Sequence, residues 1–284
     1  MPSANVAEAW SAFWAEQGPA SRCLAHAPPE LLGPLDDHWR GLATALAPMG
    51  TVLDLGCGAG AVGRLLIEAE PRLEVTGIDL AAVPHSNNPH LKLLSGIAME
   101  ALPFPDRTFG AAVSQFGYEY GRTEEAAKEV ARVLVPGAHL SFLIHHPDSP
   151  LVAGMRLHRT AIQALCGGPV REAFVAGNAD ALNQCLEALK RQYPDPIIDQ
   201  AAHGLLIKIR QAPAQRQAIW NAVEEALAPE RIMLEALDDF RVGHHDVGYW
   251  LDPLSKDFEI QPPAVVRVRR GEPISWLIQG QRRS

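Results

Sequence analysis

The chain has 284 residues, of which 47% are hydrophobic and 20% are charged, and its formal net charge is −8 at pH 7. These values are typical of a globular protein that is long enough for one large α/β domain with an additional segment. The acidic balance argues against a broad basic face for phosphate contacts, so a nucleic acid is a disfavoured partner.

Residues 1–50 predict two helices, which are separated by Pro28 and Pro29. The first has one apolar stripe at helical spacing, made by Val6, Trp10, Phe13 and Trp14. The second is expected to begin near Asp36, which can cap a helix, and to bury Trp39, Leu42, Ala43 and Leu46. Packing against the core is the favoured interpretation of both stripes, and a lid over a cofactor is the alternative.

Residues 51–66 are the stretch around which the chain is organised. Thr51 to Leu55 reads as a short apolar strand, and a glycine-rich loop then leads into the helical spacing of Val62, Leu65 and Leu66. Such a turn exposes backbone N–H groups at a helix N-terminus, and its glycines let a ligand contact the main chain. The stretch therefore predicts a site for a nucleotide-like ligand.

Two cofactors fit this loop. Gly58, Gly60 and Gly63, with Asp79 about 20 residues further on, match the dinucleotide pattern GxGxxG and indicate NAD. Asp54, which lies just before the first glycine, would repel a pyrophosphate and suits a ligand with an ammonium group. S-adenosylmethionine carries a methionine ammonium and no phosphate.

The second predicted strand, residues 73–78, ends on Asp79, at the edge of the sheet where doubly wound folds bind their ligands. Residues 84–90 have turn composition, so we expect a short third strand at 91–94 without a long preceding helix. The fourth strand is predicted at 110–116. The residues that follow its carboxyl end, up to Tyr120, should face the reacting group of a ligand.

Thr123, followed by two acidic residues, predicts the start of a helix that runs to about Leu134. Pro136 and Gly137 then turn the chain into a fifth strand at 139–144. His145 and His146 follow this strand. The imidazole pKa lies near working pH and suits proton transfer, and a structural role is the alternative.

Four segments, in this order, resemble the class I S-adenosylmethionine-dependent methyltransferases: VLDLGCGAG at 52–60, GIDL at 77–80, LPFPDRTF at 102–109 and VARVLVPG at 130–137. The resemblance covers about residues 40–145. It implies a Rossmann-like three-layer α/β sandwich with a mostly parallel seven-stranded sheet, a C-terminal antiparallel hairpin and a helical cap insertion.

The resemblance also implies S-adenosylmethionine as the cofactor. Asp54, Gly56, Gly58 and Gly60 would hold its methionine end and Asp79 its ribose. The neighbouring candidates for cofactor binding are Cys57, Leu80 and Gln115.

Two positions depart from the family pattern. Ala98 stands where many members have an Asp that holds the adenine amino group, so Met99 and Glu100 become the candidates for adenine recognition. Gly110 stands where the resemblance puts an Asp, which affects local hydrogen bonding of that loop rather than cofactor binding.

The predicted function is in-line methyl transfer to a small-molecule acceptor, and Tyr118, Glu119, His145 and His146 are the candidates on the acceptor side. The attacked atom, O, N, C or S, stays open. One alternative is an NAD-dependent oxidoreductase that uses Gly58, Gly60 and Gly63. Another is a non-catalytic binding protein that retains the fold, in keeping with the two departures.

The remaining chain divides into two segments, so that the expected organisation is 1–50, 51–146, 147–240 and 241–284. Residues 147–240 read as helices, among them 180–191 and 214–227, and we interpret them as a substrate cap or as a homodimer interface. Residues 264–270 and 274–279 predict a hairpin that completes the sheet. His244, His245 and Asp246 lack the spacing of a metal site, so we expect a polar loop and no metal.

The four cysteines, Cys23, Cys57, Cys166 and Cys185, have no metal-ligand spacing, and we interpret them as free thiols. No stretch approaches the length of a membrane span, and the N-terminus lacks the pattern of a signal peptide. We therefore expect a cytoplasmic protein without a membrane partner.

Overall fold

The computed structural model describes residues 4–18, 27–211, 213–239 and 246–284. The chain forms two compact units. The first comprises Met1–Val152 and Leu237–Ser284, and the second comprises Ala153–Ala236.

The first unit is built on one sheet. In the described ranges its strands are β1 Thr51–Leu55, β2 Glu74–Ile78, β3 Leu91–Leu94, β4 Phe109–Gln115, β5 Leu134–His145, β6 Phe258–Ile260, β7 Ala264–Arg267 and β8 Pro273–Arg282. The order along the main path is β3-β2-β1-β4-β5-β8-β6, and β7 also pairs with β8. This path has the seven strands that were expected, and β7 is the eighth.

Strands β1 to β5 pair in parallel, and β8 runs antiparallel to β5. The predicted hairpin is confirmed, because β7 pairs antiparallel with β8 from Ala264 opposite Leu277. The register sets Asp54 opposite Gly77 and Leu55 opposite Ile78. Asp79 therefore comes directly beside the glycine-rich loop, at the carboxyl edge of the parallel strands.

Helices cover both faces of the sheet. Those that lie wholly in this unit are α1 Ala4–Gln17, α2 Pro29–Leu46, α3 Ala61–Ala69, α4 Thr123–Val133 and α10 Gly248–Leu254. Side chains alternate along each strand, so Val52 packs with α2 and α3 while Leu53 packs on the face of α4 and α10. Burial on both faces explains why the central strands read as continuous apolar runs.

Several predicted boundaries need correction. Helix α2 begins at Pro29, seven residues before Asp36, because proline at the first helical position forfeits no hydrogen bond. Helix α4 includes Thr123, whose side chain makes no cap, with Arg122 at the N-cap position. Strand β5 begins at Leu134, so the turn predicted at Pro136 and Gly137 lies within the strand. The pairing of β4 with β5 shifts register at this point.

The second unit is helical. The chain enters it within α5 Pro150–Leu165, continues through α6 Gly168–Ala176, α7 Ala179–Gln192 and α8 Pro196–Gln211, and leaves it within α9 Arg216–Asp239. It has its own apolar core, in which Leu186, Leu205 and Trp220 are fully or almost fully buried. Helix α9 extends beyond the predicted 214–227, because Pro229 interrupts the backbone hydrogen bonding at one position without ending the helix.

Candidate functional site

The glycine-rich loop between β1 and α3 has the backbone that its sequence predicts. Gly56, Gly58 and Gly60 have φ angles of 63°, 51° and 80°, which is the left-handed region that favours glycine. Gly56 also approaches the backbone of Gly117, since a Cβ on Gly56 would lie 2.8 Å from the Gly117 Cα. The loop therefore lies in direct contact with the segment that follows β4.

Asp79 holds this loop in place. Its Oδ2 accepts a hydrogen bond from the Gly58 N–H, and its Oδ1 accepts one from the Ala81 N–H, both at 2.9 Å. Burial raises the pKa of Asp79, and these backbone amides oppose the rise. A carboxylate oxygen has more than one acceptor site, so Asp79 retains capacity for the hydroxyl groups of a ribose.

Asp54 is a buried carboxylate without a counter-charge. It is 1% exposed, and neither of its oxygens has a hydrogen-bond partner among the described residues. Burial raises its pKa to about 8, the charge of Asp79 adds to the rise, and the backbone amide of Gly63 opposes it. A positively charged ligand group would stabilise the ionised form, so this orphaned carboxylate fits the ammonium of S-adenosylmethionine.

Helix α1 packs on the glycine-rich loop. The indole of Trp14 forms an apolar cluster with Ala59 and Ala81, and a Cβ on Gly58 would lie 2.3 Å from the Trp14 Cζ2. The Ser11 Oγ accepts a hydrogen bond of 2.8 Å from the Ala82 N–H. The aromatic stripe of α1 is thus buried against the loop rather than within the two large clusters on the sheet.

The same helix reaches the segment after β4. The ring of Trp10 meets that of Tyr120 edge to face, with centroids 6.2 Å apart. Ser11 has no sequence signal that sets it apart from any exposed serine. Sequence reasoning therefore missed its contact with the residues that follow Asp79.

The two candidates for adenine recognition lie against the segment after β4. The Glu100 Oε1 accepts the Arg122 N–H at 2.8 Å. The Met99 thioether packs where Gly121 has no side chain, since a Cβ there would lie 2.5 Å from the Met99 Sδ. Leu80 and Ala98 are partly exposed.

Gln115 and Cys57 contact protein groups. The Gln115 Oε1 accepts a 2.6 Å hydrogen bond from the Trp39 indole N–H, which joins β4 to α2. The Cys57 side chain packs on Gly77, and burial raises its thiol pKa. Both residues support the elements that carry the loop.

The presence of glycine at position 110 has a local structural reason. A Cβ at this position would lie 2.6 Å from both the Cβ and the carbonyl oxygen of Met49, so the Asp that the resemblance puts here has no room. The Gly110 N–H donates to the Thr51 Oγ1 at 3.1 Å.

The four acceptor-side candidates separate into two groups. Tyr118 is fully buried in the core, where its hydroxyl donates to the Thr123 carbonyl at 3.2 Å, and burial raises its pKa far above the ordinary value. The His146 Nδ1 accepts the Asp148 N–H at 3.1 Å, and its ring packs on Trp276. These contacts give Tyr118 and His146 partners other than each other, and they include no carboxylate of the described residues within hydrogen-bond distance of either side chain.

Glu119 and His145, by contrast, form a buried pair at the carboxyl ends of β4 and β5. The His145 Nδ1 and the Glu119 Oε1 are 2.5 Å apart, and the His145 backbone N–H donates to the same oxygen at 3.1 Å. The Phe116 ring stacks on the imidazole with centroids 3.9 Å apart. The structure brings these two sequence-predicted residues together.

Comparison with known proteins gives one family. A model of a methyltransferase domain matches residues 52–137. The chain is 37% identical over 134 residues to a ubiquinone/menaquinone biosynthesis C-methyltransferase of Syntrophotalea carbinolica, which covers 43% of this chain and 56% of that protein. It is 30% identical over 174 residues to a demethylmenaquinone methyltransferase of Thermus thermophilus, covering 57% of this chain and 76% of that protein. The chain belongs to the class I S-adenosylmethionine-dependent methyltransferases.

This methyltransferase also has solved structural neighbours. A geranyl diphosphate methyltransferase in complex with GPP and sinefungin has a TM-score of 0.47 and 12% identity, over 88% of this chain and 77% of that one. S-adenosylmethionine is the cofactor of the family, which decides between the two cofactors that the glycine pattern allowed.

Residues 4–18, 27–211, 213–239 and 246–284 of the methyltransferase contain neither a metal cluster nor a membrane-spanning helix. Within these ranges, no group of three or more His, Cys, Asp or Glu side chains is arranged to hold a metal ion, and His244 and His245 lie outside them. None of the helices that the structure describes has both the length and the apolar character needed to cross a bilayer.

Proposed function

We propose that this methyltransferase transfers the methyl group of S-adenosylmethionine to a ring carbon of a small aromatic acceptor of the quinol type. The observation that carries the cofactor half is the buried Asp54 carboxylate, which has no cation to pair with among the described residues and borders the glycine-rich loop. The names of the two relatives, one a C-methyltransferase and the other a demethylmenaquinone methyltransferase, support the acceptor half.

The cofactor-binding residues have distinct parts in this proposal. Asp54 receives the ammonium of the methionine end, and the main chain at Gly56, Gly58 and Gly60 gives that end close access to the loop. Asp79 keeps its two amide hydrogen bonds and accepts the ribose hydroxyl groups with its remaining capacity. Met99 and Leu80 contribute apolar contacts to the adenine.

The bound sulfonium supplies an already activated methyl group, so the contribution of the chain is position and exclusion of water. Helix α1 lies on the glycine-rich loop with an aromatic face that includes Trp10, Phe13 and Trp14. We assign this helix the role of a lid. An apolar aromatic surface at the edge of the sheet also suits an aromatic acceptor better than a charged one.

Two parts of the sequence interpretation stay predictions. Residues 147–240 serve as a substrate cap or as a homodimer interface, and light scattering on the purified chain distinguishes a monomer from a dimer. A cytoplasmic location is expected, and fractionation of cells that express the chain tests it.

The decisive experiment uses methyl-labelled S-adenosylmethionine with a prenylated 1,4-naphthoquinol that is unsubstituted at the neighbouring ring carbon. The matched control is the same quinol with that carbon already methylated. We expect the label on the ring carbon of the first compound and no transfer to the second. Equal labelling of both compounds would place the methyl group on oxygen and contradict the carbon acceptor.

A further inference from the structure

We propose that His145 is the general base of this methyl transfer and that Glu119 is its positioning residue. The inference rests on the proposed function, because it concerns the proton that the acceptor must lose. Both residues are among the four acceptor-side candidates, and the contact between their side chains separates them from Tyr118 and His146.

The pair is buried and its hydrogen bonds define one tautomer. Glu119 is 1% exposed and His145 is 3% exposed. The Glu119 Oε1 accepts the His145 backbone N–H, so this oxygen acts as an acceptor and the imidazole proton lies on Nδ1. A neutral imidazole with its proton on Nδ1 has a lone pair on Nε2. The Nε2 of His145 is therefore the basic atom.

The imidazole is also fixed in its plane. Phe116 stacks on it with an angle of 23° between the rings, and the Phe116 N–H donates to the Leu143 carbonyl at 2.9 Å. Phe116 has a φ of 58°, which is a strained conformation for a side chain of this size. Strain of this kind persists where the surroundings over-determine a conformation, and here it sets the ring against His145.

The pair is connected to the cofactor loop by direct contacts. Gly117, which follows Phe116, packs against Gly56, and a Cβ on Gly117 would lie 3.0 Å from the Gly56 Cα. Ser114 holds this turn, because its hydroxyl donates to the Leu55 carbonyl and accepts the Tyr118 N–H. Gly117 and the stacked ring of Phe116 thus connect His145 to the loop that binds the methionine end.

Each residue of the pair has one buried polar atom without a hydrogen bond among the described residues. The His145 Nε2 and the Glu119 Oε2 make no hydrogen bond to any described residue. Buried polar atoms in folded proteins are normally paired, so each unpaired atom calls for an explanation, and a catalytic role is one such explanation. The acceptor hydroxyl is a donor that would satisfy Nε2.

Methylation of a quinol ring carbon requires a basic atom of this kind, because the acceptor hydroxyl gives up its proton as the new bond forms. Nε2 of His145 takes the proton of the acceptor hydroxyl as the adjacent ring carbon forms its bond to the methyl carbon. The methyl–sulfur bond breaks, and its electron pair stays on sulfur. The ring carbon then loses its own proton to water, and the imidazolium returns its proton to the hydroxyl oxygen. One proton is released in total, and the Glu119 carboxylate stabilises the imidazolium that forms between these steps.

The neighbouring histidine, His146, is less suited to act as the general base. The His146 Nδ1 accepts the Asp148 N–H and lies 3.9 Å from the Oδ2 of Asp148, an exposed carboxylate, whereas the His145 Nδ1 lies 2.5 Å from the buried Glu119 Oε1. The neighbour of His146 across the ring face is Trp276, on β8.

The test combines kinetics with a spectroscopic measurement that needs no acceptor. We expect His145→Gln to lower kcat for the prenylated naphthoquinol about 100-fold or more, the range of general base catalysis, while affinity for S-adenosylhomocysteine changes less than twofold. Glu119→Gln should lower kcat and move the acid limb of its pH profile to lower pH, because an amide stabilises the imidazolium less. The matched control is Glu74→Gln, which alters the exposed pair of Glu74 and His90 and should change neither quantity.

Nitrogen-15 NMR of the imidazole should place the neutral His145 proton on Nδ1 in the wild-type chain, and Glu119→Gln should shift it toward Nε2. A wild-type proton on Nε2 would overturn the proposal, as would His145→Gln with kcat within threefold of wild type. If the wild-type chain fails to bind S-adenosylhomocysteine, the proposed function fails instead, and the NMR result still decides whether Glu119 sets the tautomer.

Discussion

Replacement of Asp54 by Asn removes a carboxyl group that is buried without a counter-charge, and it keeps the size of the side chain. In the ligand-free chain, burial raises the pKa of this group from 3.8 to about 8. The folded state therefore holds a proton that the unfolded state releases at lower pH. Stability from this group is fully present below pH 3.8 and is lost as the pH rises toward 8.

The size of the effect follows from the shift. Each pKa unit corresponds to about 1.36 kcal/mol, so a rise from 3.8 to about 8 amounts to on the order of 5 kcal/mol between pH 4 and pH 8. We expect the free energy of unfolding of Asp54→Asn to fall less than that of wild type between pH 4 and pH 8. The variant should be more stable than wild type at pH 8.

Cofactor binding should change in the opposite direction. The ammonium of S-adenosylhomocysteine favours the ionised carboxylate, so wild-type affinity should rise by up to about tenfold per pH unit from pH 6 to pH 8. Asp54→Asn should bind more weakly at pH 8, with little dependence on pH.

Urea unfolding and calorimetric titration at pH 5, 6, 7 and 8 measure both quantities, and the exposed Asp252→Asn is the control that should match wild type. A variant at Asp54 that unfolds with the pH dependence of wild type, or that binds as tightly at pH 8, would refute the charge argument.

Four other changes test separate parts of the structure. Asp79→Asn should weaken S-adenosylhomocysteine binding by about 1–3 kcal/mol in calorimetry, because it removes ribose contacts and one loop acceptor, and unchanged affinity would place the ribose elsewhere. Trp14→Ala should speed both association and dissociation in stopped-flow fluorescence if α1 is a lid, and rates equal to wild type would limit α1 to packing. Gly110→Ala should lower the free energy of unfolding by about 1–3 kcal/mol through its clash with Met49, with cofactor affinity retained. Hydrogen bonds to Glu230 and Asp195 raise the pKa of His158 to about 9, so stability from this group, present below pH 6.5, should fall as the pH rises through 9, and His158→Gln should lack that fall.

The cofactor half of the site could be predicted from the sequence because its information is local. A strand, a loop with three glycines and the start of a helix lie within residues 51–66, and Asp79 follows the next strand at a fixed spacing. The structure adds what no local pattern contains. The stripe of α1 indicates that one face is buried, and only the fold reveals that Trp14 lies on Gly58.

The acceptor half depends on contacts between distant parts of the chain. Glu119 and His145 are 26 residues apart, and they meet because β4 and β5 are adjacent and parallel. The sequence places both at strand ends but cannot distinguish them from Tyr118 and His146, whose side chains have other partners. Gly110 replaces the Asp that the family resemblance puts at this position. The close approach of Met49, which leaves no room for a side chain, explains the glycine.

The most direct measurement of the central proposal is the transfer of label from methyl-labelled S-adenosylmethionine by the purified chain. The small-molecule fraction of a cell extract and the prenylated naphthoquinol serve as acceptors, and mass spectrometry identifies the products. We predict a quinol product that is heavier by one labelled methyl group on carbon, with S-adenosylhomocysteine formed in equal amount. Calorimetric binding of NAD, with neither S-adenosylhomocysteine binding nor label transfer to any acceptor, would contradict it.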